Sequence, residues 1–236
     1  MSNIKDVKLN GLNILSIHER ESKFNNNYSI AVISDSHNYY RDLELQIKYI
    51  NKNKEKIAFV VHTGDATDLG LLVEWEMFYN IIQKLEVPIV MVIGNHDLLT
   101  NGLEIYQQLF GYHLDFSFVF KGSNFVFINN NNWESTGDVP DIDYINDELR
   151  KTKANSILFS HVSLSDLDRF TKSEVETTKK LIIQNNVGYV INGHDHNHNT
   201  ASFGNAIQLT TGASVKGYIL MIHIERNNIE HDFIRI

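Results

Sequence analysis

The chain has 236 residues, of which 42% are hydrophobic and 21% are charged, and its formal net charge at pH 7 is -8. These values are typical of a globular protein and argue against a disordered or fibrous chain. The acidic balance also argues against a protein whose main task is to bind a nucleic acid backbone, because such proteins usually present a basic face.

The chain contains no cysteine, so any metal must be bound by nitrogen and oxygen atoms rather than by thiolates. The segment Met1–Asp6 lacks the apolar stretch of a secretory signal. The longest apolar runs, such as Val87–Ile93, have the length of a strand and are too short to span a bilayer. We therefore expect a cytoplasmic protein that does not contact a membrane.

Short β-branched runs alternate along the chain with longer amphipathic segments. The alternation predicts an α/β fold with several parallel strands. The segments that predict buried strands are Ser29–Ser34, Ile57–His62, Val87–Ile93, Phe125–Asn129, Ser156–Ser160 and Val187–Asn192.

Three helices are predicted between these strands. The first follows Tyr40, the second precedes Pro88, and the third begins with the capping box Ser173/Glu176 and ends near Asn185. The residues expected on the apolar face are Leu43, Ile47 and Ile50 in the first helix, and Met77, Ile81 and Leu85 in the second.

The two ends of the chain show different patterns. Asn10-Gly11 has the composition of a hairpin turn. Ala206–Thr211 and Tyr218–Glu225 read as strands joined by a turn that contains glycine, and we expect them to pair antiparallel. Since no linker, repeat or proline-rich stretch is present, residues 1–236 are expected to form one domain.

Polar side chains follow five of the predicted strands, at the point where each strand ends. Because the carboxyl ends of parallel strands meet at one edge of a sheet, these side chains are expected to lie close together. So many titratable groups in one place are costly unless metal ions bind them. The residues concerned are Asp35, His37, Asp65, Asn95, His96, His161, His194 and His196.

The spacing of these residues also suits metal binding. In Asp35-Ser36-His37 and His194-Asp195-His196, alternate side chains point the same way if the backbone stays extended. Glycines precede Asp65, Asn95 and His194 and allow the backbone to approach a bound ion. Imidazole and carboxylate ligands without thiolates favour Zn, Mn, Fe or Co over Ca or Mg alone.

The order of these groups resembles the calcineurin-like metallophosphoesterase superfamily. Its pattern is Asp-x-His, Gly-Asp, Gly-Asn-His-Asp or Glu, a single His, and Gly-His-x-His, and all five blocks occur here between Asp35 and His196. The resemblance implies a four-layer α/β/β/α sandwich, in which two mixed β-sheets are flanked by helices.

The resemblance also implies a role for each residue in a centre of two divalent or trivalent metal ions, with Mn or Fe favoured. One metal would be bound by Asp35, His37, Asp65 and His196. Asp65 would bridge to the second metal, which Asn95, His161 and His194 would complete. His96 would face the substrate as a catalytic group, with Asp97 orienting its ring.

One residue departs from the pattern, because many relatives have Gly where this chain has Asn38. We expect this difference to alter the loop without abolishing metal binding. The segment from Asp97 to His161 is too short for a large cap domain, so an open site is expected. The blocks from Thr63-Gly64-Asp65 to Thr211-Gly212-Ala213-Ser214 most resemble small bacterial phosphodiesterases that act on cyclic nucleotides.

Other residues are open to a structural interpretation. His62 is expected to pack or to form a hydrogen bond beside the site. His198 is expected in an exposed loop at the rim of the site. Asp68 is expected either to cap a helix or turn or to support the Asp65 loop. Asp195 is expected to point away from the metals. Tyr39 and Trp133 are candidates for a substrate pocket, although a Trp in an Asn-rich loop is more often half-buried packing. Ordinary surface or core roles are expected for His18, His113, His223 and His231.

The predicted function is hydrolysis of a phosphodiester or phosphomonoester, with a diester preferred, by water that a dinuclear metal centre activates. The substrate is expected to be small and phosphorylated. The alternative is a catalytically silent scaffold that keeps the fold and binds protein partners. The intact ligand set counts against that alternative. A nuclease is disfavoured because no basic groove or added nucleic-acid-binding domain is visible.

Overall fold

The computed structural model describes residues 8–151, 155–226 and 228–236. The prediction made for Met1–Asp6 concerns residues outside these ranges. The strands are β1 Asn27–Ile33, β2 Ile57–His62, β3 Ile89–Met91, β4 Phe116–Phe120, β5 Ser123–Phe127, β6 Ser156–Phe159, β7 Tyr189–Asn192, β8 Asn199–Phe203, β9 Ala206–Thr210, β10 Tyr218–Glu225 and β11 Asn228–Arg235.

Six α-helices lie between or before these strands in the described part of the chain. They are α1 Leu9–Glu19, α2 Tyr40–Lys52, α3 Leu72–Ile82, α4 Gly102–Leu109, α5 Ile142–Arg150 and α6 Lys172–Gln184. Short 3₁₀ turns cover Glu21–Lys23, His96–Leu98 and Ser214–Lys216.

The strands form two mixed sheets. One has the order β11-β10-β1-β2-β3, and the other has the order β4-β5-β6-β7-β9-β8. β1, β2 and β3 are parallel to one another, and so are β5, β6, β7 and β9. The remaining pairs, β1 with β10, β10 with β11, β4 with β5 and β8 with β9, are antiparallel.

Alternate residues of a strand point into different hydrophobic cores. In β1, Ile30 and Val32 face the core between the two sheets, whereas Ala31 and Ile33 face the helices α2 and α3. Both faces of the strand are therefore buried, which explains why it reads as a continuous apolar run.

Aromatic rings fill much of the space between the sheets. Phe127 stacks on Phe116 with ring centroids 4.5 Å apart, and on Phe159 with centroids 4.9 Å apart. On the outer face of the second sheet, residues of β5, β6 and β7 pack against Ile145 and Leu149 of α5 and Ile182 of α6. The result is the predicted α/β/β/α sandwich of two mixed sheets flanked by helices.

The predictions for the two ends of the chain are wrong. Asn10 and Gly11 lie within α1 rather than in a hairpin turn. Ala206–Thr210 and Tyr218–Glu225 belong to different sheets, since β9 pairs with β7 and β8 whereas β10 pairs with β1 and β11. A turn compatible with a hairpin therefore carries the chain from one sheet to the other.

Two helix predictions need smaller corrections. The buried face of α3 is formed by Trp75, Phe78, Ile81 and Ile82, while Met77 is exposed and Leu85 follows the helix. Helix α6 is capped by Thr171 and Glu174, two residues before the predicted box. The predicted face of α2 and the predicted end of α6 are confirmed.

None of the helices in the described part of the chain combines the length and the apolar character that a membrane span requires.

Asn10 connects α1 to the edge strand β3. Its side-chain amide donates to Met91 O at 3.0 Å and accepts from Met91 N at 2.9 Å. Because β3 lies at the edge of its sheet, Asn10 supplies partners that a neighbouring strand would otherwise provide.

We predict that Asn10→Ala lowers the free energy of unfolding by about 1–3 kcal/mol, because the Met91 N–H is left buried without its acceptor. Urea unfolding measures this as a lower midpoint at an unchanged slope. Gly11→Ala is the matched control, since a Cβ there meets no atom within 4 Å. That variant should stabilise the helix by up to about 1 kcal/mol, and a loss of stability would contradict the helical assignment.

Candidate metal centre

Five loops meet at one end of the sandwich, each at the carboxyl end of a strand. Three follow β1, β2 and β3 of the five-stranded sheet, and two follow β6 and β7 of the six-stranded sheet. The site therefore joins the ends of two packed sheets, whereas the strand pattern alone predicted one sheet edge.

Asp65 lies at the centre of this region and is 1% exposed. Its Oδ1 accepts a hydrogen bond from His96 N at 2.9 Å. Its Oδ2 is 3.2 Å from His161 Nε2 and 3.8 Å from His37 Nε2. One carboxylate thus contacts histidines from both sheets.

The donor atoms form two groups that share Asp65. In the first, donor atoms of Asp35, His37, Asp65 and His196 lie within 4.8 Å of one another. Within this group His196 Nε2 is 3.2 Å from His37 Nε2 and 3.5 Å from Asp35 Oδ1.

The second group contains Asp65, His161 and His194, with donor atoms again within 4.8 Å of one another. Asn95 joins this group because its Oδ1 is 3.0 Å from His161 Nε2. All seven residues that the sequence predicts as metal ligands are therefore brought into one of two adjacent groups.

Backbone carbonyls determine which nitrogen carries a proton in two of the histidines, His37 and His161. Nδ1 of His37 is 3.1 Å from Thr67 O, and Nδ1 of His161 is 2.8 Å from Thr63 O. A carbonyl can only accept, so both Nδ1 atoms donate and the Nε2 lone pairs point into the site.

The acceptor atoms around His161 form a site that suits a cation. The Nδ1 proton of His161 is donated to Thr63 O, so Nε2 of the same ring is an acceptor. Two further acceptors lie beside it, Asp65 Oδ2 and Asn95 Oδ1. Three acceptors in a buried space require a positive charge among them, either a second proton or a metal ion. The residues therefore fit a metal, and the two groups sharing a carboxylate suit a dinuclear centre.

The electrostatics of these buried side chains reflect the same requirement. Burial alone would lower the pKa of His161, but the neighbouring Asp65 carboxylate raises it to about 9. Burial would raise the pKa of Asp65, yet the imidazoles around it hold that pKa well below its usual range. Burial raises the pKa of Asp35 to about 7, and lowers the pKa of His194 to about 4. His161 and Asp35 therefore hold a proton more readily than usual, whereas Asp65 and His194 hold one less readily.

The backbone of the ligand loops differs from the prediction. Positive φ angles occur at Asp35 (49°), His37 (40°), Asp65 (56°), His194 (72°) and His196 (59°). The paired ligands therefore converge through left-handed turns rather than along an extended backbone. Such conformations cost on the order of 1–3 kcal/mol each and are typical of functional sites.

Two glycines allow the loops to come this close. A Cβ at Gly94 would lie 2.1 Å from Asp65 N and 2.2 Å from Asp65 Oδ1. A Cβ at Gly193 would lie 2.1 Å from Ser34 Oγ and 2.8 Å from Asp35 Oδ2. In both cases the glycine makes room for a predicted ligand and for the chain beside it.

Asp68, not Asp97, orients the ring of His96. His96 Nδ1 is 2.6 Å from Asp68 O, and the Asp68 carboxylate lies 4.0 Å from the same nitrogen. Asp97 instead accepts hydrogen bonds from the backbone N–H groups of Ala66, Thr67 and Gly94. Asp97 therefore joins the loops that follow β2 and β3, and the predicted contact between Asp97 and His96 is corrected.

The ring of His96 lies at the opening of the site. Its side chain is 37% exposed, and its centroid is 4.8 Å from that of His37. Because Nδ1 donates to Asp68 O, Nε2 is the nitrogen left to exchange a proton with a bound molecule.

Several residues support the ligand loops through hydrogen bonds that the sequence did not predict. His62 is buried, receives a hydrogen bond from Gly64 N and contacts Ser36 Oγ at 3.0 Å, and burial lowers its pKa to about 3. Asn130 Oδ1 accepts from the backbone N–H groups of His161 and Val162. Asn131 Nδ2 donates to Ile93 O at 2.9 Å. The Asn-rich loop after β5 thus supports the second ligand group, a role that only its burial reveals.

The remaining candidates are all at least partly exposed to solvent. Tyr39 is part-exposed, with its ring 6.4 Å from that of His37. Trp133 is 64% exposed rather than half-buried. His198 is exposed and packs against the rings of Tyr218 and Phe233. Asp195 is exposed beside the two ligands of its loop.

The sandwich fold and the two ligand groups define the kind of site found in metal-dependent hydrolases with two metal ions. The profile of the calcineurin-like phosphoesterase family matches residues 28–198. The chain belongs to that family, which supports a metal-dependent phosphoesterase.

A probable glycerophosphodiester phosphodiesterase from Arcobacter nitrofigilis is 40% identical over 55 residues, which are 23% of this chain and 20% of that protein. The similarity therefore spans about a fifth of that relative. Among solved structures, a dimetal phosphatase from Danio rerio has a TM-score of 0.67 at 12% identity, covering 86% of this chain and 98% of that one. A purple acid phosphatase from Lupinus luteus has a TM-score of 0.73 at 13% identity, covering 90% and 52%. These two structures show the fold.

We predict that Gly94→Ala strongly reduces metal binding, because the added Cβ displaces Asp65 from both ligand groups. The measurement is the number of Mn ions retained per chain after dialysis, with circular dichroism as the check on folding. Gly188→Ala is the matched control, since its nearest non-neighbouring atom lies at 3.9 Å. A folded Gly94→Ala protein that retains full metal content would contradict the central position given to Asp65.

Proposed function

We propose that the protein hydrolyses a small phosphorylated substrate, a phosphodiester in preference to a phosphomonoester, at a centre of two metal ions. The observation that carries this proposal is the pair of donor groups that share the buried Asp65. Within the calcineurin-like family, this arrangement supports hydrolysis by metal-activated water.

The ligands divide between the metals as the donor groups do. Asp35, His37 and His196 would hold the first metal, and Asn95, His161 and His194 would hold the second. Asp65 would contribute to both. The nitrogen and oxygen ligands accept Mn, Fe, Zn or Co, with Mn or Fe preferred here.

A third group of His37, Asp68 and His96 is also close enough to hold an ion. In that group the nitrogens nearest the Asp68 carboxylate are Nδ1 of His37, at 3.5 Å, and Nδ1 of His96, at 4.0 Å. Both nitrogens already contact backbone carbonyls, of Thr67 and Asp68 respectively. We therefore assign His96 to the substrate and not to a metal.

The bound metals would supply Lewis acidity to the phosphoryl oxygens and make a water molecule acidic enough to attack at neutral pH. The chain's own residues position the reaction. His96, held by Asp68 O through Nδ1, presents Nε2 to the leaving oxygen and protonates it as it departs.

Two observations support the preference for a diester. The segment that is 40% identical to the Arcobacter nitrofigilis protein belongs to a probable phosphodiesterase. In addition, the described residues between Asp97 and His161 belong to α4, β4, β5, α5, β6 and their connecting loops, the longest of which spans residues 128–141, and they form no separate cap domain. An uncapped site leaves room for the second ester group. We further propose that residues 1–236 act as one domain in the cytoplasm.

The main test compares hydrolysis of 4-nitrophenyl phosphate and bis(4-nitrophenyl) phosphate by metal-stripped protein, with and without added Mn. We expect Mn to restore turnover of both substrates and to favour the diester. The isosteric variant Asp65→Asn, which loses the shared negative charge, should remain inactive with Mn. Faster hydrolysis of the monoester would be consistent with the proposed mechanism but would reject the proposed preference for a diester. Mn-bound wild-type protein that turns over neither ester would favour the scaffold alternative.

We predict that His96→Gln lowers kcat by about 10²- to 10⁴-fold, which is the usual contribution of general acid–base catalysis. Its metal content should equal that of the wild type, as measured by elemental analysis. His113→Gln, at an exposed histidine outside the ligand groups, is the matched control and should retain full activity. Loss of one metal ion from His96→Gln would instead make His96 a ligand.

A further inference from the structure

A braced aromatic side chain lies in the loop that follows β5. Trp133 is 64% exposed, and the guanidinium of Arg169 lies 4.2 Å from its ring centroid. Nη1 of Arg169 donates to both carboxylate oxygens of Glu134, at 3.0 and 2.8 Å. The side chain of Arg169 is only 8% exposed. Arg169 is thus held between Trp133 and Glu134, and we call these three residues the Trp133 platform.

The Trp133 platform is tied to the second ligand group through the loop that carries it. Asn130 binds the backbone of His161, and Asn131 binds Ile93 O, which lies two residues before Asn95. Asn132 Nδ2 donates to Arg169 O. The loops carrying Trp133 and Arg169 are therefore joined to each other and to the second half of the metal centre.

One face of Trp133 packs against Arg169, yet the side chain as a whole remains 64% exposed. Because Arg169 already restricts the position of the indole, little conformational entropy is lost when another flat ring stacks on its exposed face. The charge of Arg169 is balanced by Glu134, so the platform offers a flat apolar face rather than a second phosphate site. Such a face stacks with planar π systems regardless of their hydrogen-bonding groups.

A cavity borders the two chain segments that carry the platform, although neither Trp133 nor Arg169 lines it. This cavity of about 780 Å³ is lined by Asn132 and Phe170, the chain neighbours of Trp133 and Arg169. Its lining also includes four carboxylate residues, Asp138, Asp141, Asp143 and Glu174. These carboxylates would repel a second phosphate group, which favours a single phosphate ester with an uncharged ring.

We propose that Trp133, braced by Arg169, stacks on a planar aromatic ring, such as a nucleobase, in the alcohol part of the phosphate ester. The Trp133 platform thereby determines which esters the site accepts. This inference rests on the proposed hydrolase function and names its substrate class.

The first experiment measures KM and kcat for an aromatic diester, bis(4-nitrophenyl) phosphate, and an alkyl diester, glycerophosphoethanolamine. In Trp133→Leu we expect KM for the aromatic diester to rise about 5- to 100-fold, the range that base–aromatic stacking supplies. Values of kcat should change less than about twofold, and the alkyl diester should be unaffected. Trp133→Phe should recover most of the loss.

The matched control is Tyr112→Leu. Tyr112 is 59% exposed and is also covered by a cation, because Lys8 Nζ lies 3.9 Å from its ring centroid. It lies beside α1, outside the five loops of the metal centre, so its substitution should leave both diesters unaffected. An equal effect of Trp133→Leu on both diesters, or no effect on either, would overturn the platform while leaving the hydrolase function intact.

A binding measurement separates this inference from the proposed function. The chain has two tryptophans, and Trp75 is fully buried, so quenchable exposed emission comes from Trp133. Adenosine 5′-monophosphate should quench that emission in metal-stripped and Zn-loaded protein, whereas ribose 5-phosphate should not. If the wild type hydrolyses neither diester but this quenching occurs, the proposed hydrolase function is rejected and the proposed stacking on Trp133 is supported. No quenching, or equal quenching by ribose 5-phosphate, overturns the platform.

Discussion

The candidate metal centre depends on one buried carboxylate, Asp65, whose negative charge must be compensated. Asp65 is surrounded by chain from three other loops: His37 N donates to its backbone oxygen, His96 N donates to Oδ1, and His161 Nε2 lies 3.2 Å from Oδ2. A negative charge in this environment is unfavourable unless positive charge lies beside it. The loops after β1, β3 and β6 are therefore positioned around Asp65, and they bring two sheets to one site.

The same requirement accounts for the unusual backbone around the site. Five of the seven predicted ligands have positive φ angles, which an isolated loop would avoid. The close approach of Gly94 to Asp65 and of Gly193 to Asp35 leaves no room for another side chain. The hydrophobic cores on both sides of each sheet supply the stability that offsets this local strain.

The two sides of the site differ in character. Beside the first donor group, His96 and Asp68 lie next to His37. Beside the second donor group, buried asparagines support His161, and the same loop carries an exposed indole that packs on an arginine. The residues proposed to act in the chemistry and those proposed to select the substrate therefore share the same loops.

The sequence by itself determined the strands that end in ligands, the alternation with helices, and the residue types that suit nitrogen- and oxygen-bound metals. These properties can be read from short segments of sequence. A strand that is buried on both faces is a continuous apolar run, and the metal preference of a ligand follows from its side-chain type. Only the tertiary structure decided that Asn10 belongs to a helix covering the edge of β3, that β9 and β10 lie in different sheets, and that Asp68 rather than Asp97 holds His96. Each of these depends on contacts between residues far apart in the chain, and local propensity does not encode such contacts.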